Sequence, residues 1–260
     1  MKLNDLLFHK WDEVGFMPGD TLLLHSDIKR LYRFLLRKGF KNISVDEILN
    51  SLIEFLTPQG TLVIPTFNFQ FPEKEFFDAN NTKSEMGVIS EHARSLFAST
   101  RSGHPVYSFV TYGKYSTEFS KINNVSAYGN DSPFSFLLEL DAKISVLGLD
   151  DQQSMTFYHH VEEMENVDYR FHKYFSGKYI NRANEQSCRK YSIFVRNTEL
   201  GVVTDVNPTG ELLWSKGIYK GFRFNEDIGL RWCHSTKFYD FVSTLIQNKM
   251  ALGNLYSLKR

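Results

Sequence analysis

The sequence has no excess of either charge and very little cysteine. Its 260 residues carry 30 Lys and Arg against 30 Asp and Glu, so the formal net charge is zero. Nucleic-acid-binding proteins normally show a basic excess, and this balance argues against that class. Cys188 and Cys233 form no CxxC or Cys/His spacing, which argues against a zinc site and a disulfide scaffold. The composition therefore favours a reducing compartment.

Long apolar runs are also missing. No run approaches the roughly 18–20 residues that a membrane-spanning helix needs. The opening segment, MKLNDLLFHKWDE, contains acidic residues and a Trp where a signal peptide has a continuous apolar stretch. We therefore expect a cytoplasmic protein with no membrane span, whose partners are small molecules and not nucleic acid.

Several signatures of common enzymes do not occur. The sequence has no GxxxxGK[ST] and no GxGxxG, so it lacks the residues that would hold a phosphate in P-loop or dinucleotide-binding proteins. It has no GxSxG nucleophile elbow, and neither cysteine has a histidine at a spacing typical of a thiol nucleophile. A base that assists direct transfer fits this sequence better than a covalent intermediate on the protein.

Short apolar runs alternate with amphipathic segments over the first two thirds of the chain. Ser44 and Glu47 form a capping box at the start of one such segment. Residues 68–87 show no period, which predicts a long loop. The alternation predicts a layered α/β domain with a substantially parallel or mixed sheet. The predicted strands are 21–27, 61–67, 107–112 and 143–149, and the predicted helices are 44–57, 88–99, 132–140 and 155–166.

The pattern changes after residue 166. Residues 191–196 and the segment around 220–224 resemble antiparallel or edge strands, and an amphipathic helix is predicted over 236–248. We expect one folded unit over residues 1–260, with a core over 1–166 and a C-terminal antiparallel and helical lobe over 167–260.

The most informative segment is TFYHHVEE, residues 156–163. It follows a predicted strand end, where ligand sites in α/β sheets gather. On a helix, His159 and Glu162 share a face, and Thr156 lies on that face three residues earlier. A carboxylate beside an imidazole fixes its tautomer and raises its basicity, which suits a group that takes a proton from an attacking nucleophile.

Two other interpretations of this segment stay open. Two His and two Glu on a helix often form a solvated face without a function. His159, His160, Glu162 and Glu163 also resemble half of a binuclear metal centre, but a hydrolytic metal site needs a further ligand at a telling spacing. The segment RSGHPVYSF, residues 101–109, is similarly open, because its hydroxyls and amides suit either a ligand loop or an ordinary helix-to-strand connection.

Six segments form a collinear set over residues 18–163. They are PGDTLLLHS (18–26), GTLVIPT (60–66), FD with a following T, S and MG (77–87), RSGHP with SF (101–109), DSP (131–133) and T..H..E (156–162). As a set they resemble the aminoglycoside 3-N-acetyltransferase family, whose fold differs from the GNAT fold. The C-terminal third of the chain matches only in general layout.

This resemblance implies a three-layer α/β/α sandwich with a mixed, largely parallel central sheet. It implies acetyl-coenzyme A as the donor, an amine as the acceptor and no metal. It assigns His159 as the catalytic base and Glu162 as its acidic neighbour. It places Asp78, Thr156 and Glu163 on the acceptor side. The residues expected to bind coenzyme A are Ser26, Thr66, Ser102, His104, Pro105, Ser108 and Phe109.

The sequence departs from the family pattern near its start. A carboxylate, Asp27, follows His25-Ser26 where the family has a second hydroxyl, and residues 28–41 are basic and apolar where the family usually has a Gly/Ala-rich segment. We therefore predict an amino-sugar acceptor, nucleotide-linked and destined for a surface polysaccharide, or an aminoglycoside. The alternatives are an inactive relative that binds coenzyme A or a sugar, and a metal-dependent hydrolase. The acyl length and a homo-oligomeric state stay open.

Overall fold

The computed structural model describes residues 2–259. These residues form eleven α-helices, eleven strands and a 3₁₀ turn at Ala98–Thr100. The strands are β1 (Thr21–Ser26), β2 (Thr61–Pro65), β3 (Phe76–Asp78), β4 (Phe109–Gly113), β5 (Lys143–Leu147), β6 (Arg170–Ile180), β7 (Gln186–Arg196), β8 (Val202–Thr204), β9 (Lys220–Gly221), β10 (Leu230–His234) and β11 (Tyr256–Leu258). The helices are α1 (Leu3–Glu13), α2 (Lys29–Arg37), α3 (Val45–Leu56), α4 (Phe71–Lys74), α5 (Val88–Leu96), α6 (Ser116–Lys121), α7 (Pro133–Glu139), α8 (Asp151–Ser154), α9 (Phe157–Met164), α10 (Asn207–Ser215) and α11 (Ser235–Gln247).

A six-stranded sheet in the order β4-β2-β1-β5-β10-β9 forms the centre of the fold. Its three middle strands, β2, β1 and β5, run parallel. The outer strands β4, β10 and β9 each pair antiparallel with their inner neighbour. The sheet is therefore mixed, as predicted, and its parallel pairing is confined to the middle.

Helices cover both faces of this sheet because alternate side chains of its strands point to opposite sides. Leu22 and Leu24 of β1 pack into one apolar core with residues of α1, α2, α3 and α5. Leu23 packs into a second core with residues of α7, α9 and α11. This arrangement confirms the predicted three-layer α/β/α sandwich.

Local signals explain where some of these helices begin. The backbone N–H of Glu47 donates to Ser44 Oγ over 3.1 Å, and the backbone N–H of Ser44 donates to Glu47 Oε2 over 2.8 Å. The predicted capping box is thus confirmed at the start of α3. The long loop predicted over 68–87 contains two short elements that the sequence did not indicate, α4 and β3, and β3 pairs with β6.

The residues after 166 contribute to the central sheet as well as to smaller ones. The long strands β6 and β7 form an antiparallel ribbon that β3 extends, and β8 pairs with β11. β10 lies beside β5 in the central sheet. Of the strand predicted around 220–224, only the two residues of β9 form a strand. The boundary at residue 166 therefore stays an interpretation of the sequence. Among residues 2–259, no helix has both the length and the apolar character needed to cross a bilayer.

Candidate functional site

The ends of β1 and β5 lie side by side at one edge of the central sheet, where Ser26 pairs with Leu147. The chain then turns at Gly148, whose φ of 71° favours glycine, and a Cβ there would lie 2.3 Å from a backbone oxygen of the segment after β1. Asp150 caps α8 by accepting the backbone N–H of Gln153 over 2.9 Å. This tight turn leads directly into α9, which carries the predicted base.

His159 and Glu162 contact each other as their helical spacing predicts. Their Nδ1 and Oε2 atoms are 2.8 Å apart. The Glu162 side chain is fully buried, whereas one fifth of the His159 side chain is exposed. Arg170, at the start of β6, places its Nε 2.7 Å from the same Glu162 oxygen. Because Nδ1 is engaged with the carboxylate, Nε2 is the ring nitrogen left to accept a proton.

The charges of this cluster favour a neutral imidazole beside an ionised carboxylate. Burial lowers the pKa of His159 below its ordinary value of 6.5, and the nearby Arg170 charge lowers it further, while the hydrogen bond to Glu162 opposes both effects. Burial alone would raise the pKa of the Glu162 carboxyl, but Arg170 and His159 hold that pKa below its ordinary value. A neutral imidazole is the form that can act as a base.

Three cavities meet around α8 and α9. The first, which we call the His159 cavity, has a volume of about 230 Å³ and contains Thr156, His159, Arg196 and Thr204 in its wall. The second, the Ser26 cavity, has a volume of about 690 Å³ and lies at the end of β1. Gln153 lines both of them. The remaining lining residues of the Ser26 cavity are Asp27, Ile28, Lys29, Tyr32, Arg33, Glu85, Met86, Gly87, Val88 and Leu149.

The third cavity, which we call the Asp205 cleft, has a volume of about 620 Å³. It shares Asp151 with the His159 cavity. Its wall includes Asp150, Asp205, Glu211 and Trp214, and its two arginines, Arg223 and Arg231, pair with Glu211 and Asp151. The His159 cavity therefore lies between a larger cavity at the strand ends and an acidic cleft.

Asp151 is fixed by a buried network that the sequence did not suggest. Its Oδ2 accepts the hydroxyls of Tyr158 over 2.8 Å and Tyr219 over 2.6 Å, and its Oδ1 accepts an N–H of Arg231 over 2.7 Å. A Cβ on Gly210 would lie 2.7 Å from the carboxyl carbon, so only glycine fits against this carboxylate. The network holds rigid the helix turn that forms one wall of the His159 cavity.

The residues predicted to bind coenzyme A divide into two groups. Ser26 lines the Ser26 cavity, and its Oγ is buried without a hydrogen-bond partner among residues 2–259. The other six line none of the three cavities, and their side chains are buried. Their contacts with coenzyme A stay a prediction. These six are Thr66, Ser102, His104, Pro105, Ser108 and Phe109.

The buried six form a hydrogen-bonded connection around β4. Ser102 Oγ accepts the backbone N–H of Phe109 over 2.9 Å, and Thr66 Oγ1 lies 3.0 Å from Ser108 Oγ. His104 Nδ1 accepts the backbone N–H of Tyr107 over 3.0 Å. These side chains satisfy one another and the local backbone, which is what an ordinary helix-to-strand connection requires.

The predicted acceptor-side residues lie apart from one another. Thr156 lines the His159 cavity. Glu163 accepts the hydroxyl of Ser126 over 2.8 Å and lines a separate cavity of about 450 Å³. Asp78 accepts the backbone N–H of Asn80 over 2.8 Å and lines none of these cavities. Only Thr156 therefore stands beside His159.

The metal interpretation has no further support in the geometry. His160 Nδ1 lies 2.6 Å from the backbone oxygen of Tyr128, in a buried position. Within residues 2–259, no group of three or more His, Cys, Asp or Glu side chains is arranged to hold a metal ion.

Comparisons with known proteins connect this geometry to a family. The sequence profile described as aminoglycoside 3-N-acetyltransferase matches residues 23–247. The chain is 26% identical over 168 residues to the SPbeta prophage-derived aminoglycoside N(3')-acetyltransferase-like protein YokD of Bacillus subtilis (strain 168). That match covers 56% of this chain and 59% of the relative, so it spans little more than half of the relative's length.

Two solved structures share the fold at low sequence identity. AAC-IIIb in a binary complex with CoASH has a TM-score of 0.79 at 18% identity, over 95% of this chain and 97% of that one. AAC-VIa bound to sisomicin has a TM-score of 0.76 at 17% identity, over 96% of this chain and 98% of that one. With the family profile matching most of its length, this chain belongs to the aminoglycoside 3-N-acetyltransferase family.

Proposed function

We propose that this protein is an N-acetyltransferase that moves the acetyl group of acetyl-coenzyme A to an amine of an aminoglycoside or a related amino sugar. The observation that carries the proposal is the His159–Glu162 pair, whose partly exposed imidazole lines a small cavity between two larger ones. Membership of the family supports N-acetyl transfer as the reaction. The fold that this chain shares with AAC-IIIb, solved with CoASH, and with AAC-VIa, solved with sisomicin, supports the two substrates.

The Ser26 cavity suits the donor. It is the largest of the three, and its wall combines apolar side chains with two basic residues of α2, Arg33 and Lys29, of which Lys29 is paired with Asp27. The buried, unpartnered hydroxyl of Ser26 could hydrogen-bond to an amide of the pantetheine arm after a rotation of its side chain toward the cavity. Coenzyme A carries phosphate groups, which basic side chains and a helix N-terminus attract. Gln153 marks the point where the thioester would enter the His159 cavity.

The Asp205 cleft suits a cationic acceptor. The carboxylates of Asp150 and Asp205 form no ion pair within residues 2–259, so their charge is not neutralised by the protein. Trp214 adds an apolar surface on which a sugar ring can pack. These charges favour a polyamine sugar over a nucleotide-linked sugar, because the phosphates of a nucleotide would be repelled.

The proposed reaction is a direct transfer. The neutral amine attacks the carbonyl carbon of the thioester, and the His159 imidazole takes the amine proton on Nε2. Glu162 accepts the Nδ1 proton in a hydrogen bond and stabilises the imidazolium. As the new C–N bond forms, the C–S bond breaks, and the imidazolium of His159 gives the proton to the leaving thiolate of coenzyme A, which becomes the free thiol.

A thiol-release assay tests the proposal. The purified protein with acetyl-coenzyme A is offered aminoglycosides of the sisomicin type and amino-sugar nucleotides in parallel, and each acceptor is repeated with the His159→Gln variant. We expect release with the aminoglycosides in the wild type only. If no amine accelerates release while coenzyme A binds normally, the protein is a binding relative that has lost its chemistry. Release with nucleotide-linked sugars alone would overturn the proposed acceptor.

A further inference from the structure

Two nitrogen atoms, one of His159 and one of Arg170, contact the same oxygen of Glu162. His159 Nδ1 lies 2.8 Å from Oε2, and Arg170 Nε lies 2.7 Å from that same atom. The other oxygen, Oε1, is buried and has no hydrogen-bond partner among residues 2–259. Because the side chain is fully buried, water does not hold this carboxylate. Its position therefore depends on the imidazole and the guanidinium at Oε2, with the buried phenol of Tyr169 also beside the carboxylate.

Arg170 is itself held by the strands of the C-terminal half. One terminal nitrogen donates to the backbone oxygen of Phe194 on β7 over 3.1 Å, and the other donates to Thr204 Oγ1 at the end of β8 over 3.1 Å. Its side chain is only 5% exposed. Thr204 also lines the His159 cavity. The guanidinium is therefore held beside Glu162 in an ion-pair contact, although the direction of its Nε–H is not that of a hydrogen bond.

We propose that Arg170 is a positioning residue for acetyl transfer, which holds Glu162 ionised and in place so that His159 keeps its proton on Nδ1 and offers Nε2 as the base. The role in transfer rests on the proposed function. The arrangement of the three side chains does not.

Loss of the Arg170 charge would change the number of protons that the His159–Glu162 pair binds. An ionised carboxylate buried without a cation is strongly disfavoured, so without Arg170 the His159–Glu162 pair would retain one extra proton. If the imidazole held that proton, no lone pair would remain on Nε2. If the carboxyl held it, its O–H could donate to Nδ1, and the neutral imidazole would then carry its proton on Nε2, where it could not act as the base. In both cases, His159 could accept the proton of the amine on Nε2 only at a higher pH.

Other groups that face the pair do not replace this contact. Arg196 on β7 lines the His159 cavity and contributes a weaker charge in the same direction. The phenols of Tyr128 and Tyr169 stay neutral, because burial raises the pKa of each. Asp151 on α8 is already paired with its own arginine. Arg170 is the one cation that contacts the Glu162 carboxylate within residues 2–259.

Titration of His159 tests the proposal. The imidazole signals are followed by NMR against pH in the full-length protein, with His159 assigned by the loss of its signals in His159→Gln. We expect Arg170→Gln to raise the midpoint of the titration by about one pH unit or more. Glu162→Gln should lower it, because it removes the negative charge. The midpoint of Arg170→Lys should lie between those of Arg170→Gln and the wild type, since an ammonium keeps the charge but lacks the planar group that binds Phe194 and Thr204.

The acid limb of kcat/KM in the thiol-release assay should move in the same order. Arg182→Gln is the matched control, because that arginine donates to the backbone oxygens of Ser99 and Ser120 and does not contact Glu162. It should leave the titration unchanged.

If Arg170→Gln does not fold, the order of Arg170→Lys, wild type and Glu162→Gln still decides. If the folded Arg170 variants keep the wild-type midpoint, Arg170 has only a structural role and the proposal is contradicted. If no amine supports thiol release, the proposed function fails, while the NMR titration still tests the role of Arg170.

Discussion

Residues 156–163 and 101–109 contain similar side chains, and the fold uses them differently. His159 is partly exposed at a cavity and contacts the buried charges of Glu162 and, through it, Arg170. His104 is fully buried and accepts backbone N–H groups of its own turn. A histidine among hydroxyls therefore does not identify a site. Access to a cavity and contact with a buried charge separate the two environments.

Removing each imidazole should produce opposite defects, and this is the largest effect we expect. His159→Ala should lower kcat by roughly 10²–10⁴-fold, the usual range for a positioned base, with little change in the free energy of unfolding. His104→Ala should lower the free energy of unfolding by about 1–3 kcal/mol, because it leaves buried N–H groups without an acceptor. Thiol release and urea unfolding measure the two quantities. Equal activity losses in both folded variants would contradict the distinction.

Acid should weaken the fold through its buried neutral imidazoles. Burial lowers the pKa of His25 and His104 from 6.5 to about 3. The unfolded chain therefore binds protons at a pH where the folded chain does not, so stability is complete above pH 6.5 and falls as the pH drops toward 3. Each group should cost about 2 kcal/mol between pH 6.5 and 5. Urea unfolding at several pH values measures this dependence of the free energy of unfolding on pH. In His104→Gln the dependence should be weaker by the contribution of one histidine.

The hydroxyl of Ser108 sharpens the comparison, because the family resemblance assigns it to coenzyme A. Ser108 Oγ accepts the Arg101 Nε–H over 3.0 Å in a buried position. Ser108→Ala should therefore cost about 1–3 kcal/mol of stability by leaving that donor unpaired. It should leave the KM for acetyl-coenzyme A unchanged. A clear rise in KM with normal stability would instead place the coenzyme at this loop.

A charge reversal on α2 should have the smallest effect. Arg33→Glu changes the wall of the Ser26 cavity and should raise the KM for acetyl-coenzyme A about fivefold, with kcat unchanged, as expected for an exposed charge contact. Arg37→Glu makes the same change on the same helix, outside that cavity, and should leave KM unaltered. Added salt should reduce the difference between the two variants. Equal KM values for both would argue against phosphates beside α2.

Much of the fold could be predicted because its parallel strands are short, continuously apolar and separated by well-marked turns. The capping box at Ser44 and the turn before β1 place two elements almost to the residue. The helices α1 and α2 were missed because charged side chains interrupt their apolar faces, and α10 was missed because Pro208 and Gly210 lie in its first half. β10 was missed because Arg231 stands in the middle of its apolar run, and a buried charge is uncommon in a strand unless it is paired.

The site was predictable only where its contacts are local. The pairing of His159 with Glu162 follows from their spacing on one helix, so the sequence indicates it directly. Arg170 and Arg231 reach α9 and α8 from strands in the C-terminal half, and no spacing predicts such contacts. For Arg231 the available signal was a charge within a mostly apolar strand, whereas β6 also contains Lys173 and Lys178, so Arg170 gave no such signal.

The position of β10 has a consequence for how the chain is made. β5 carries β1 on one edge and β10 on the other, yet β10 begins only at Leu230. While the ribosome is still producing the intervening ribbon, β5 has an open edge of the kind that invites aggregation. Arg231 is part of β10 and binds Asp151, in the wall beside His159. A nascent chain that ends before β10 therefore has an unpaired edge at β5 and lacks the arginine that holds Asp151. Such a chain would be a substrate for proteolysis and would have no activity.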